Sequence, residues 1–299
     1  MTTSAWRAEL SAAEKNSIHR LVDEVAVADG VAPVGEQVLR ELAGSDSDHL
    51  IYGNPEDRHG VLGYLCLSPG AIGSDAWAEL VVRPDARGSG IGGRLVRAAV
   101  ERSAGRIRFW AHGTLPAARA LARSEGLVAV RELLRMNRPL GDVDVPVCPT
   151  GIYIRGYGGA RDDAELLRVN NAAFHWHPEQ GGWTSEDLYQ RFGAPWFDPA
   201  GLFLAFDEGS GALAGFHWTK VHNASLGEVY VLGVDPAVQG RGLGRVLTLA
   251  GLDYLGRTVT GREQPEVMLY VEGDNAAALR TYRALGFGVV AVDTAYAPA

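Results

Sequence analysis

The chain has 299 residues, 46% of them hydrophobic and 21% charged, a composition typical of a globular protein long enough for two domains. The formal net charge of −8 argues against a general nucleic-acid binder, whose surface would be basic. The N-terminal stretch has no apolar signal core and no run of about 18 apolar residues occurs, so we expect a cytoplasmic protein that does not contact the membrane.

In the first half, the hydrophobic pattern predicts a strand, a glycine-rich turn, a helix, a strand, a helix that stops at a glycine, and a last strand. These segments are "AELVV", "RPDARGSGIG", "GGRLVRAAVERSA", "RIRFWAH", "PAARALARSEGL" and "VAVRELLRM". The two cysteines, Cys66 and Cys148, do not have the spacing of a disulfide framework or a metal site.

A stretch rich in proline and glycine, residues 137–151, has the composition of a linker. After it the same order of elements returns. The segments are "EVYVLGV", "DPAVQGRGLG", "GRVLTLAGLDYLGRT", "EVMLYVE", "NAAALRTYRALGF" and "VVAVDTAYA". Because the whole order recurs, we predict two similar α+β domains, residues 1–140 and 151–299, joined by residues 141–150.

The glycine turn is the strongest shared motif. When Pro84 is aligned with Pro236, Gly88, Gly90 and Gly92 match Gly240, Gly242 and Gly244. A strand, a glycine turn and a helix N-terminus together bind phosphate through backbone N–H groups. Neither copy continues as a P-loop, and the dinucleotide pattern G-x-G-x-x-G fits only the first copy, so both nucleotide interpretations are disfavoured.

The shared spacing, V-x-P-x-x-[RQ]-G-x-G-x-G, resembles the coenzyme-A pyrophosphate loop of the GNAT acetyltransferase superfamily. The resemblance implies two tandem GNAT-like domains, each a mixed, mostly antiparallel sheet flanked by helices, and acetyl-CoA as cosubstrate. In the second half it implies coenzyme contacts at Leu232, Gly233, Val234, Gln239, Gly240, Arg241, Gly242, Leu243, Gly244, Arg245, Asn275, Ala276, Ala277, Ala278, Leu279 and Arg280. In the first half it implies them at Leu80, Val81, Val82, Gly88, Ser89, Gly90, Ile91, Gly92 and Gly93.

Acetyl transfer to an amine needs a base, donors for the oxyanion and an acid for the departing thiolate. Strand alternation in "EVYVLGV" predicts that Glu228, Tyr230 and Leu232 share one face, and Glu228 is the candidate base. The family resemblance implies that Tyr282, four residues before the glycine that ends the last helix, is the acid.

Asn275 is a good helix N-cap, and the resemblance implies that it also contacts the coenzyme. By the same alignments the first half has Ala76, Ala122 and Leu115 in place of Glu228, Tyr282 and Asn275. We therefore expect the first half to bind acetyl-CoA without turning it over.

Over nearly its whole length the chain also resembles a tandem-domain branch of this superfamily, through "HPEQGGWT", "FHWTKVH" and the ending "VDTAY". Members of that branch acetylate the cysteine α-amine of cysteinyl-glucosaminyl-inositol to give mycothiol. The resemblance implies a cleft between the domains with acceptor contacts at Glu36, Glu179, Lys220, Glu228 and Tyr270.

Other functions stay open from the residues alone. One alternative is a GNAT enzyme for another amine, such as an aminoglycoside or a polyamine, and another is a non-catalytic acetyl-CoA-binding protein. His175 and His177 have a metal-like spacing but no clear third ligand, so we expect no metal. We expect a monomer that acts on a small molecule.

Overall fold

A computed structural model describes residues 6–54, 60–70, 74–141, 143–177, 180–261 and 264–299. The chain forms two compact units. Unit 1 comprises Met1–Leu133 together with Ala291–Ala299, and unit 2 comprises Leu134–Val290. None of the described helices is both long and apolar enough to cross a membrane.

The helices in chain order are α1 Ala12–Asp29, α2 Glu36–Glu41, α3 Ile91–Arg102, α4 Pro116–Ser124, α5 Asp163–Ala173, α6 Ser185–Phe192, α7 Leu243–Thr258 and α8 Ala276–Ala284. The strands are β1 Trp6–Arg7, β2 Asp48–Gly53, β3 Val61–Ser68, β4 Ala76–Val82, β5 Ile107–Ala111, β6 Leu127–Pro139, β7 Ile152–Gly156, β8 Leu202–Asp207, β9 Leu213–Asn223, β10 Leu226–Val234, β11 Glu266–Glu272 and β12 Gly288–Pro298.

Unit 1 is a mixed sheet covered by helices on both faces. Strands β1 to β4 are antiparallel neighbours, whereas β4 and β5 are parallel. One face of the sheet packs on α1 and α2 through a core that includes Ile18, Tyr64 and Val81. The other face packs on α3 through Leu65, Leu95 and other buried side chains.

Unit 2 repeats this plan. Strands β7 to β10 are antiparallel neighbours and β10 is parallel to β11. On one face α5 and α6 cover a core that includes Leu166, Leu188 and Trp218. On the other face α7 and α8 bury Leu249, Tyr282 and their neighbours.

The last strand of each predicted half is divided between the two units. Thr294, Ala295 and Tyr296 of β12 pair antiparallel with β5, so the C-terminal residues complete the sheet of unit 1. The second part of β6 lies beside β11, where Met136 is fully buried in the core of unit 2. Hydrophobic periodicity predicts both strands, but it does not specify which sheet receives them.

Candidate active site

The glycine turn of unit 2 leads from β10 into α7. Gly240 and Gly242 have φ of +80° and +83°, a left-handed conformation that residues with a side chain rarely adopt. Gly242 is the N-cap of α7 and has no side-chain capping bond, unlike Thr184 and Asn275, which cap α6 and α8. No side chain at the N-cap therefore occupies the first N–H groups of α7, which is the arrangement of helix N-termini that bind anions.

The turn of unit 1 has the same geometry. Gly88 and Gly90 have φ of +74° and +84°, and Gly90 is the N-cap of α3, again without a side-chain cap. A cavity of about 650 Å³ adjoins this turn and the ends of β4 and β5. Arg87 in the turn donates two hydrogen bonds to Asp29, at 2.9 and 2.7 Å.

Glu228 lies in β10, between two irregularities of the sheet. It is 7% exposed, it is registered opposite Lys220 of β9, and its Oε2 lies 2.7 Å from Nε2 of His222. The register then shifts between Val229 and Val231, which makes Tyr230 the extra residue of a β-bulge.

Because of this bulge, the prediction that Glu228, Tyr230 and Leu232 share one face of β10 is wrong. Tyr230 contacts Trp196 with ring centroids 4.8 Å apart, on the side covered by α5 and α6. Leu232 instead packs with Leu243 and Leu247 of α7. The three residues predicted to share a face are therefore divided between the two faces of the sheet.

Lys220 is held over two aromatic rings. Its Nζ lies 5.0 Å from the ring centroid of Trp196 and 5.6 Å from that of Tyr230. Such cation–π contacts orient an ammonium group and leave N–H donors for a further partner. The sequence motifs single out Lys220 but not Trp196, which follows α6 and has no signal of its own.

Tyr282 lies in α8 on the opposite side of β10 from Glu228. It is 7% exposed and packs against Phe287 in the core that also contains Val229. Burial raises the pKa of Tyr282 to about 12, so its hydroxyl keeps its proton at neutral pH.

At the start of the same helix, Asn275 is the N-cap, and its side chain accepts a 3.0 Å hydrogen bond from the N–H of Ala278. This is the capping role that its sequence position predicts.

The remaining predicted acceptor residues are exposed or undescribed. The Glu36 side chain is 92% exposed at the start of α2, 3.6 Å from Arg40. Tyr270 of β11 is 44% exposed. Glu179 lies outside the described residues. His177 lies 3.6 Å from Glu272 of β11, a pairing that the sequence does not predict.

His175 is exposed, and its Nδ1 lies 3.2 Å from the carbonyl oxygen of Ala172. Within the described ranges, no three His, Cys, Asp or Glu side chains are grouped as metal ligands would be. Cys66 is buried and Cys148 partly exposed, and both are free thiols.

The register also corrects the predicted equivalent of Glu228 in unit 1. The last registered pair between the parallel strands is Ala78–Phe109 in unit 1 and Val229–Leu269 in unit 2. The residue before it is Trp77 in unit 1, not Ala76, because β4 pairs with β3 without a bulge. Ala122 is a buried residue of α4, as Tyr282 is of α8. Leu115 is the N-cap of α4, as Asn275 is of α8.

Unit 1 carries a different polar cluster, which lies at the end of β5. His112 Nε2 is 3.0 Å from Glu79, and its Nδ1 is 3.5 Å from Asp293. Glu79 also accepts a 2.6 Å bond from the N–H of Gly35, and Asp293 a 2.7 Å bond from that of Gly113. Although burial opposes the charged imidazole, the hydrogen bonds with Asp293 and Glu79 raise the pKa of His112 to about 9.

Comparison with protein families assigns both halves to one superfamily. The model of the acetyltransferase (GNAT) family matches residues 169–287, and that of the acetyltransferase (GNAT) domain matches residues 49–126. The chain is 54% identical to the mycothiol acetyltransferase of Mycobacterium sp. (strain JLS), over 99% of both chains. It is also 54% identical to the protein of that name from Mycobacterium ulcerans (strain Agy99), over 99% of this chain and 97% of the other.

Solved structures of the same fold cover the whole chain. A GCN5-related N-acetyltransferase from Sphaerobacter thermophilus has a TM-score of 0.73 and 23% identity, over 98% of this chain and 94% of the other. A tandem GNAT protein from the clavulanic acid biosynthesis pathway has a TM-score of 0.68 and 20% identity, over 98% of each. At these identities the structures support the fold, which is two tandem GNAT domains, each with a mixed sheet and flanking helices.

Proposed function

Because the chain belongs to the mycothiol acetyltransferase family of GNAT enzymes, we propose that it acetylates the cysteine α-amine of 1D-myo-inositol 2-(L-cysteinylamino)-2-deoxy-α-D-glucopyranoside to give mycothiol. The chain is an N-acetyltransferase by family, and its relatives carry the mycothiol name over nearly their full length. The observation that carries the proposal further is the position of Glu228 and Tyr282 on opposite faces of the strand that enters the glycine turn.

The proposed mechanism is direct transfer in a ternary complex. Glu228 takes a proton from the acceptor ammonium, directly or through a water, because only the neutral amine has a lone pair for attack. The amine nitrogen bonds to the acetyl carbon, the carbon–sulfur bond breaks, and Tyr282 donates a proton to the departing thiolate. The second proton that the nitrogen loses passes to the Tyr282 oxygen, which restores its hydroxyl. The Tyr282 pKa of about 12 keeps that proton in place at neutral pH.

The coenzyme would lie along the turn of unit 2. Its pyrophosphate would accept hydrogen bonds from backbone N–H groups between Gln239 and Arg245, where α7 begins without a side-chain cap. A Cβ at Gly240 or Gly242 would meet nothing within 4 Å, so the space beside the turn is open. The acetyl carbonyl would lie against the backbone of Leu232 to Val234, with residues 275–280 beside the coenzyme.

The acceptor would lie on the α5 and α6 side of unit 2. Lys220 would donate to hydroxyls of the pseudo-disaccharide, and Tyr270, half exposed, would contact a sugar face. Glu36 and Glu179 would accept hydrogen bonds from hydroxyls. Trp196 supports this assignment because it fixes the position of Lys220.

For unit 1 we propose acetyl-CoA binding without turnover. The capless N-terminus of α3 and the 650 Å³ cavity support binding, and the alanine at position 122 leaves no phenol in the place of Tyr282. We also propose that residues 1–140 and 151–299 are the two functional halves and that the protein is a cytoplasmic monomer.

An acetyl-CoA consumption assay tests the assignment with the cysteinyl pseudo-disaccharide against aminoglycosides, polyamines and simple amines. A clear preference in kcat/KM for the pseudo-disaccharide is expected. Equal or better rates with another amine would reject the substrate but keep the enzyme class. No transfer to any amine, with acetyl-CoA still bound, would favour a binding protein.

Glu228→Gln tests the base, because the amide keeps the shape of the side chain but accepts no proton at neutral pH. We expect a fall in kcat of about 10²-fold or more with an unchanged Kd for acetyl-CoA.

For unit 1, calorimetry of the wild type is expected to give two acetyl-CoA sites and Gly90→Val only one. An unchanged stoichiometry in the variant would mean that the first turn does not bind the coenzyme.

A further inference from the structure

The carboxylate of Glu228 has a titratable partner, His222, the last residue of the motif "FHWTKVH", to which the sequence assigns no role. Nε2 of His222 lies 2.7 Å from Oε2 of Glu228, a short bond of the charge-assisted kind. His222 comes from the end of β9, so the bond joins two neighbouring strands.

A β-bulge sets the position of this histidine. Leu226 pairs with Asn223, and the next residue, Gly227, pairs with Val221, which leaves His222 as the extra residue of β9. Bulges occur next to active sites, where they redirect a side chain out of the regular alternation. This bulge and the one at Tyr230 lie on either side of Glu228 along the sequence of β10.

The pair leads from the interior towards the surface. The side chain of Glu228 is 10% exposed, whereas that of His222 is 27% exposed. A proton received by the carboxylate thus has a neighbouring acceptor that reaches water.

The other charged or titratable groups on this face are less suited to carry that proton. Parallel register places the even-numbered residues of β11 on the face of Glu228, and Lys220 is its cross-strand partner on β9. An ammonium has no lone pair, and a tyrosine ordinarily titrates near pH 10. His177 has the right chemistry but lies against Glu272. These neighbouring groups are Lys220, Tyr230, Tyr270, Glu272, Glu266 and His177.

We propose that His222 positions Glu228 and relays its proton to solvent; this inference rests on the proposed acetyl transfer. The ammonium of the acceptor loses two protons in one turnover. One ends on the coenzyme sulfur as the carbon–sulfur bond breaks. The other passes from nitrogen to Glu228 and on to Nε2 of His222, which accepts it in the tautomer that carries its hydrogen on Nδ1. The Nδ1 proton then leaves to water, so Glu228 is again a carboxylate that accepts a hydrogen bond from Nε2–H, and the imidazole recovers its Nδ1–H form by exchange with solvent.

His222→Gln separates the relay from a structural role, because the amide can still donate a hydrogen bond to Glu228 but cannot carry a proton. We expect kcat to fall about tenfold, with an unchanged KM for acetyl-CoA and an acid limb of the pH profile that moves. Added imidazole should restore part of the rate in His222→Ala, where the side chain has been removed.

Two further variants make the test specific. His19→Gln changes an exposed histidine of α1 and should leave the rate unchanged. In a Glu228→Gln background, His222→Gln should cost little more, because the relay acts only through the carboxylate.

A wild-type rate and pH profile in His222→Gln would overturn the inference, and so would an equal loss with and without Glu228. If the wild type prefers a different amine, the substrate assignment fails, but the same dependence on His222 would still support the relay. A wild type that acetylates no amine would overturn both.

Discussion

At the scale of single residues, Tyr282 is defined by what surrounds it. Its ring is packed in an apolar core on the far side of β10 from Glu228, and burial raises the pKa of its hydroxyl to about 12. A phenylalanine at position 282 would fill the same apolar space in the core and would keep the packing against Phe287. A tyrosine at this place is therefore explained by its hydroxyl rather than by its volume.

Tyr282→Phe removes the hydroxyl and keeps the ring. We expect kcat to fall by about 10²-fold or more while the Kd for acetyl-CoA and the melting temperature stay close to the wild-type values. Stopped-flow measurement of thiol release gives the rate, and calorimetry gives the Kd. Normal turnover in the variant would exclude Tyr282 as the acid.

Trp196 is a residue whose role only the structure suggests. Trp196→Leu removes the ring under Lys220 and should raise the KM for the acceptor about three- to tenfold, since an exposed to partly buried cation–π contact contributes roughly 0.5–2 kcal/mol. The KM for acetyl-CoA should not change. Trp196→Phe retains an aromatic face and is the matched control. Equal acceptor KM values in both variants and the wild type would remove Trp196 from the acceptor site.

At the scale of elements, the glycine turns are the part that the sequence predicts well. The conformation of each turn depends only on residues close together in the sequence. Positions 240 and 242 have positive φ angles, which glycine adopts readily. The bulges at His222 and Tyr230 are a different case. Each depends on how β9 and β10 align with one another, and no local pattern around Glu228 encodes that register.

The turn of unit 2 offers a matched pair of substitutions. Gly242→Ala forces a side chain into φ +83° at the start of α7 and should weaken acetyl-CoA binding at least tenfold by moving the N–H groups, since the left-handed conformation costs roughly 1–2 kcal/mol.

Gly256→Ala, near the end of the same helix, meets no atom within 4 Å and should leave binding intact, with equal or higher stability. Calorimetric titration of both variants decides the point. Comparable Kd values would mean that the turn is not the coenzyme loop.

At the scale of the whole molecule, the sequence predicts the duplication, but it does not predict which unit contains the last strand. The sequence predicts two successive halves, whereas Ala291–Ala299 belongs to unit 1 and Leu134–Val290 to unit 2. The contacts that decide this join residues far apart along the chain. Thr114, for example, donates a 2.6 Å hydrogen bond to the carbonyl of Val292. Periodicity carries no information about such partners.

The C-terminal segment is joined to unit 1 through a charged histidine. Asp293 and Glu79 flank His112 and raise its pKa from 6.5 to about 9 despite its burial. A group whose pKa is raised by folding stabilises the folded state below its unfolded pKa and loses that contribution as the pH approaches the folded pKa. A shift of this size corresponds to roughly 3 kcal/mol at most.

Asp293→Asn should therefore lower the free energy of unfolding at pH 6 to 7 and have a much smaller effect near pH 10, where His112 is neutral in both proteins. Chemical denaturation followed across this pH range measures the difference. Asp253→Asn, in an exposed ion pair with Arg257, is the control and should change stability little at any pH. A loss in Asp293→Asn that is constant from pH 6 to pH 10 would mean that the charge of His112 does not hold the C-terminal strand. A loss that disappears as His112 deprotonates would identify this cluster as the electrostatic attachment of residues 291–299 to the rest of unit 1.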